Sequence, residues 1–221
     1  MARPRVLLTG FGPFPGVPEN PSAWLAETIA PRARDLDCEL HAQVLPTEWE
    51  AVAALAPRLY ESLQPHVMIH FGMSERAKGF RIERSAHNRT MRHADARGAL
   101  PSSRTIVPQK PGRLDTSLPA RTLAAHLKAQ GLAATPSASA GLYLCNFLYY
   151  LSLDWAAGRD AVALFVHVPR VSAQGPLSEE KLLHGAQELL RLALIFAATS
   201  TDRADPGGAL NQAGAVHKEA G

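Results

Sequence analysis

The sequence predicts an α/β domain, a three-layer α/β/α sandwich on a largely parallel mixed sheet. Three observations carry that expectation. Short apolar runs at 6–9, 40–45, 67–71 and 162–168 alternate with amphipathic stretches long enough for helices, an order that calls for parallel strands with helices on both faces. The hydrophobic fraction, 46% of 221 residues, is enough for one sizeable core. No internal repeat or linker divides the chain, so residues 1–199 are expected to fold as one domain and 200–221 to form a disordered tail.

The elements follow in order. Val6–Thr9 reads as a buried strand stopped by Gly10, and 11–20, dense in Gly and Pro, as a loop. A helix is expected over Pro21–Ile29, with Asn20 as N-cap and proline at its first position. Leu40–Leu45 reads as a strand. Thr47 and Glu50 have capping-box spacing for a helix to about Gln64, with Val52, Leu55, Leu59 and Leu63 on one face and Pro65 ending it. Val67–Phe71 is the third strand. Residues 72–117 hold few apolar residues and many Arg, His and Pro. They read as a long ordered loop, with room for a hairpin and a short strand at 80–84. Helices are expected at Leu118–Gln130, closed by Gly131, and at Asn146–Ala157, closed by Gly158. Val162–Val168, apolar throughout except for one histidine, should be a central strand buried on both faces. Ser178 is expected to cap a last helix to about Thr199, with Lys181 in its first turn.

Composition narrows the function. Lys and Arg number 23 against 20 Asp and Glu, and the basic residues are spread along the chain, apart from an Arg-rich stretch at 76–104. That gives little reason to expect a nucleic-acid partner and none to expect a polybasic membrane anchor. The opening apolar run is too short for a signal peptide, and no stretch approaches the roughly 20 apolar residues of a membrane span. Two cysteines cannot build a disulfide framework, so a reducing, cytoplasmic location is expected. The nine histidines show no metal-ligand spacing, and Gly10-Phe-Gly12 lacks the later Gly and Lys of a phosphate loop.

Cys145 and His167 stand out against this background. Cys145 lies where an apolar run meets a helix start, and Gly141 and Asn146 permit a tight strand-to-helix turn there. Such a turn can present a thiolate and aim backbone N–H groups at an oxyanion. A small buried hydrophobe is the plainer reading of any free cysteine. His167 falls at the carboxyl end of the predicted central strand, where open α/β sheets bind ligands. Within an apolar strand a histidine is otherwise a hydrogen-bonded core residue. A carboxylate should orient the imidazole. Glu83 is the candidate, although spacing alone does not select it over Glu75 or Asp95. Phe11 and Phe14, in the loop after the first strand, could grip a small flat ring or simply plug the core. Cys38, beside a predicted strand, reads as structural.

Four separated blocks resemble the type I pyroglutamyl peptidases, a family of cytosolic cysteine peptidases. They are Leu8-Thr-Gly-Phe-Gly-Pro-Phe14 with Asn20-Pro21 behind it, Gly72 through Glu83-Arg84-Ser-Ala-His-Asn88, Ser139-Ala-Gly-Leu-Tyr-Leu-Cys145-Asn146, and Phe165-Val-His167-Val-Pro169. The resemblance spans residues 5–195 in consistent order. It implies Cys145 as nucleophile, His167 as general base and acid, Glu83 as the orienting carboxylate, and Phe11 and Phe14 packed on a pyrrolidone ring. Asn20, Met73, Tyr143 and Leu144 are by analogy further substrate-binding positions. Met73 stands where the family usually has Gln, the Tyr143-Leu144 pair departs from its pattern, and the segment 76–93 differs from typical members.

The resemblance further implies peptide substrates with an N-terminal pyroglutamate, a homodimer or homotetramer, and neither metal nor organic cofactor. Two other readings use the same residues: a hydrolase of a different cyclic or acylated amide, and a non-catalytic pyrrolidone-binding relative.

Overall fold

The computed structural model describes residues 3–32, 36–171 and 177–204. Its elements are β1 (Arg5–Phe11), α1 (Pro21–Arg32), β2 (Glu39–Leu45), α2 (Trp49–Leu63), β3 (Val67–Met73), β4 (Phe80–Glu83), β5 (Ser85–His87), β6 (Arg113–Asp115), α3 (Ala120–Ala129), β7 (Ala134–Ser137), α4 (Leu144–Ala156), β8 (Val162–Val168) and α5 (Glu179–Ala204). Six strands form one sheet in the order β2-β1-β3-β8-β4-β7. The first four of that order run parallel. β4 enters antiparallel to β8, and β7 lies parallel to β4.

Side-chain alternation along the strands divides the interior in two. Val6 and Leu8 of β1, Val67, Ile69 and Phe71 of β3, and Val162, Leu164 and Val166 of β8 pack under α1, α3 and α5. Leu7, Met68, Ala163 and Phe165 point the other way, under α2 and α4. This is the expected three-layer sandwich, with β8 central and buried along its whole length.

The structure corrects several local expectations. Thr47 and Glu50 do not form a capping box. The N-cap position of α2 is Glu48, which makes no side-chain cap bond, and Thr47 Oγ1 donates to the Gly12 carbonyl at 2.9 Å instead. The Trp49 N–H at the helix start donates to Asp95 Oδ2 at 2.9 Å, so the cap comes from 46 residues away. The buried face of α2 is Trp49, Val52, Ala56 and Tyr60, with Leu55, Leu59 and Leu63 only partly covered at its margin. β7 was not expected, because Pro136 interrupts it; proline is tolerated there since β7 is an edge strand and needs no full ladder. α4 starts two residues early, at Leu144, which places Cys145 inside its first turn. α5 runs on to Ala204, past the expected end at Thr199; the rest of the expected tail lies outside the described residues.

The other two predicted caps and the long loop are found as expected. Asn20 Oδ1 accepts the Ser22 N–H at 3.1 Å and caps α1, and Ser178 Oγ accepts the Lys181 N–H at 3.3 Å. The long segment after β4 is an ordered loop, 88–112, closed by the antiparallel β5–β6 ribbon. Asn88 organises it: Oδ1 accepts the Ile106 and Val107 N–H groups at 3.0 and 2.8 Å, and Nδ2 donates to the Val107 and Lys110 carbonyls.

Candidate active site

The same alternation that sorts the core brings the predicted trio together. On β8, the residues under α4 are Ala163, Phe165 and then His167; on β4, Glu83 and Arg81 share that face. Antiparallel pairing sets Arg81 opposite His167 and Glu83 opposite Phe165. His167 and Glu83 are therefore diagonal neighbours, a relation that long side chains can bridge. His167 Nδ1 lies 2.8 Å from Glu83 Oε1. Glu83 is fully buried, and its other oxygen, Oε2, has no hydrogen-bond partner.

The two buried histidines of this face show how surroundings decide protonation. His70 on β3 bonds Thr9 Oγ1 at 2.8 Å, and burial drives its pKa down to about 3, so it is neutral and structural. For His167, burial is again the largest influence and again lowers the pKa. The Cys145 charge and hydrogen bond, followed by the Glu83 hydrogen bond and charge, outweigh it and push the value up to about 9. With Nδ1 engaged by Glu83, Nε2 is the nitrogen left to face Cys145. At neutral pH His167 is therefore an imidazolium facing Cys145.

Three features fix Cys145. First, it sits in the opening turn of α4, where the N–H groups before Phe147 have no carbonyl four residues back; the first helical bond runs from the Phe147 N–H to the Tyr143 carbonyl at 3.0 Å. Second, the sulfur rests against bare backbone at Gly72, the β3 partner of His167. A Cβ on Gly72 would stand 3.0 Å from Cys145 Sγ and 2.8 Å from Phe165 Cζ. Third, Asn146 ties the helix start to the chain after β5. Its Oδ1 accepts the His87 N–H at 2.7 Å, and its Nδ2 donates to the His87 and Arg89 carbonyls, both at 2.9 Å.

A cavity of about 730 Å³ opens over Cys145, and Phe11, Phe14, Asn20, Met73, Tyr143 and Leu144 all line it. Their placements differ. Phe11 is buried at the end of β1. Phe14 stands on a turn closed in both directions with Val17, with Gly16 in the left-handed region (φ 81°) after Pro15, as a type II turn requires. Asn20 spends its amide internally, donating to the Gly12 carbonyl at 3.0 Å and accepting from Ser22, so it shapes the loop. Tyr143 stacks edge-on against Trp49 at 5.2 Å and donates from its hydroxyl to the Ala94 carbonyl at 3.1 Å. Burial first, then the Asp95 and Cys145 charges, push its phenol up to about 12 and keep it neutral.

Sequence reasoning weighed Asp95 only as a rival to Glu83 and passed over Arg170, which lies outside the cavity lining. Asp95 accepts the N–H groups of Trp49, Arg97 and Ala99, each at 2.9 Å, so one carboxylate caps α2 and folds the 95–99 turn beside the cavity. Burial raises its pKa, but those bonds and the Arg97 charge bring it below the ordinary value. The Asp-x-Arg-Gly run carried an Asx-turn signal that could have marked it. Arg170, three residues past His167, donates to the Gly16 carbonyl at 2.9 Å and pairs with Glu75 at 3.4 Å, latching the Phe14 turn to the far rim. Nothing local in the sequence marked Arg170. Among the described residues, no group of three His, Cys, Asp or Glu side chains could hold a metal ion, and no helix is long and apolar enough to cross a membrane.

An α/β/α sandwich with a cysteine at a helix start, a histidine at the carboxyl end of the central parallel strand and a buried glutamate bonded to that histidine has the build of a cysteine hydrolase. Comparison with known proteins makes the class particular. The model of the pyroglutamyl peptidase family matches residues 4–183, and the chain belongs to that family. It is 34% identical to human pyroglutamyl-peptidase 1 over 174 residues, 76% of this chain and 81% of that one. With the pyrrolidone-carboxylate peptidase of Pyrococcus furiosus it shares 33% over 173 residues, 77% of this chain and 83% of the other. The pyrrolidone carboxyl peptidase of Thermococcus litoralis superposes with a TM-score of 0.82 at 25% identity, over 89% of this chain and 96% of that chain. A mutant of the Pyrococcus furiosus enzyme superposes at 0.80 with 30% identity, covering 87% and 99%.

Proposed function

We propose that the chain hydrolyses the amide bond after an N-terminal pyroglutamyl residue of peptides, through Cys145, His167 and Glu83 and a thioester intermediate. The carrying observation is Cys145, set in the lining of a cavity walled by Phe11 and Phe14 and partnered behind it by the His167 imidazole, which is bonded to buried Glu83. Family membership supplies the substrate class. In this reading the Cys145 thiolate adds to the pyroglutamyl carbonyl, and the free N–H groups of the first α4 turn receive the oxyanion. The His167 imidazolium gives its proton to the leaving amine and the C–N bond breaks, leaving the acyl group on sulfur. Neutral His167 then takes a proton from water as it attacks the thioester, and the thiolate leaves. Glu83 keeps Nδ1 protonated and the ring aimed throughout.

The cavity suits a cyclised N-terminus. A pyroglutamyl group has no free α-amine and needs no counter-ion. Asp95 is turned to backbone N–H groups and Glu75 to Arg170, so neither carboxylate of the lining is free to select an ammonium. Phe11 and Phe14 offer faces for the lactam ring, with Met73, Tyr143 and Leu144 closing the slot. The test is hydrolysis of a pyroglutamyl fluorogenic amide under reducing conditions by wild type and Cys145→Ser. Turnover lost in the variant supports the assignment. A folded, reduced wild type that spares the pyroglutamyl amide but cleaves another acyl amide would overturn the substrate.

A further inference from the structure

We propose that Arg81 is a positioning residue of this site, covering the buried Glu83 carboxylate from the β7 side and holding it charged and aimed at His167. The proposal rests on the Cys145–His167–Glu83 reading above. Two residues apart on β4, Arg81 and Glu83 share a face. Parallel pairing places Ser137 of β7 beside Glu83, and antiparallel pairing places His167 of β8 opposite Arg81. From there Arg81 reaches two ways: Nε stands 3.7 Å from Glu83 Oε1, and Nη2 donates to Ser137 Oγ at 2.8 Å. The Glu83 side chain is 0% exposed and that of Arg81 32%, so the guanidinium stands at the boundary between carboxylate and solvent.

The need for such a group is physical. A carboxylate taken out of water must be paired or hydrogen-bonded, or it takes up a proton. Glu83 has His167 at one oxygen and no hydrogen-bond partner at the other. Among the described residues its ion pairs are with His167 and Arg81. Among the described residues, the other elements around it offer no second cation in an ion pair with Glu83. α4 presents Tyr149, whose hydroxyl donates to the Glu83 backbone carbonyl at 3.0 Å and whose phenol burial pushes up and keeps neutral, and then Cys145 beyond His167. β7 presents only the Ser137 hydroxyl. Arg81 is thus the permanent positive charge beside Glu83, near the same oxygen, Oε1, that the imidazole engages. Without it, a proton on Glu83 would cost His167 its orienting partner and the thiolate its imidazolium. A surface cavity of about 380 Å³, lined by Arg76, Lys78, Phe80, Arg81 and Ser137 among others, lies against Arg81 and could admit a small cation in its place.

The experiment compares wild type, Arg81→Ala and Arg81→Lys as full chains by two readouts: the rate of Cys145 alkylation by iodoacetamide as a function of pH, and kcat and KM on the pyroglutamyl amide. The expected result for Arg81→Ala is a fall of about tenfold in kcat with KM nearly unchanged, intermediate between an exposed pair and a broken buried one. The acid limb of the alkylation profile should move to higher pH. Guanidinium ion at millimolar, non-denaturing concentration should restore part of both, sodium ion neither, and Arg81→Lys should fall between wild type and Arg81→Ala. A wild-type alkylation profile in Arg81→Ala overturns the proposal, as does a loss that neither guanidinium nor lysine repairs. If Arg81→Ala does not fold, the profile of Arg81→Lys decides: a shift to higher pH supports the role and a wild-type profile overturns it. A wild type that alkylates normally but cleaves no pyroglutamyl amide would count against the substrate alone, since alkylation tests Arg81 without substrate.

Discussion

Gly72→Ala is the sharpest test of how the thiol is held. The new methyl would stand 3.0 Å from Cys145 Sγ and 2.8 and 3.0 Å from two ring carbons of Phe165. Non-bonded carbons settle at about 3.5–4.0 Å, so these neighbours must give way by roughly 0.5–1 Å. Phe165 cannot absorb this freely, since it is fully buried, with the Tyr149 ring at 5.8 Å and His167 at 4.9 Å. The sulfur must therefore move, and a nucleophile misplaced by about 1 Å costs on the order of 100-fold in rate. Overpacking of this kind destabilises by about 1–3 kcal/mol, and in a domain of this size each kcal/mol lowers Tm by about 2–4 °C. The expected outcome is a 10- to 100-fold lower kcat with a modest fall in Tm, read from steady-state kinetics and calorimetry on the same preparation. Wild-type kcat in Gly72→Ala would refute the reasoning, because the sulfur would then not be seated against the β3 backbone.

Further outcomes are expected at His167 and Glu83, at the two cysteines and at Asp95. The raised pKa of His167 keeps the imidazole protonated up to about pH 9, so kcat/KM should fall as pH rises through that region. In Glu83→Gln, which removes one of the influences raising that pKa, the basic limb should move to lower pH and kcat should drop by about 100-fold or more; an unmoved limb would contradict the assignment. Iodoacetamide at neutral pH should label Cys145 and spare Cys38, which is buried and whose thiol burial pushes up; peptide mass mapping decides, and equal labelling would count against an activated Cys145. Asp95 is held below its ordinary pKa, so its contribution to stability is present above the unfolded value near pH 4 and is lost as pH falls through the folded one. Asp95→Asn should flatten that acid dependence of Tm and raise KM by loosening the 95–99 wall.

Much of this was legible because it lies in local periodicity. The apolar runs that become β1, β3 and β8, and the Asn20 and Ser178 caps, depend on a few adjacent residues. The placement of Cys145 and His167 at one rim followed from topology alone. Glu83 did not: spacing left it level with Glu75 and Asp95, only the family resemblance picked it out, and the geometry behind it, β4 running against β8, is written nowhere near residue 83. The α2 cap failed for a related reason: Thr47 and Glu50 have the right spacing, but Asp95 competes for the helix start from a distant loop and wins with a charged acceptor. Pro136 hid β7, because an edge strand tolerates what a central strand excludes. Arg170 was invisible, as its partners, the Gly16 carbonyl and the Glu75 carboxylate, both lie far up the chain.

The Asn146 contacts make the start of α4 depend on the two ends of one amide. By taking the N–H and giving to the C=O of His87, the amide serves as a one-residue rung beside β5, and only a group with one acceptor and one donor end can do that. Exchange of asparagine for aspartate at this position would keep the shape and lose the donor. The group that now faces the His87 and Arg89 carbonyls would become an oxygen facing two oxygens, one residue from the nucleophile. Asn146→Asp should accordingly lose activity even when thiol titration finds Cys145 reduced.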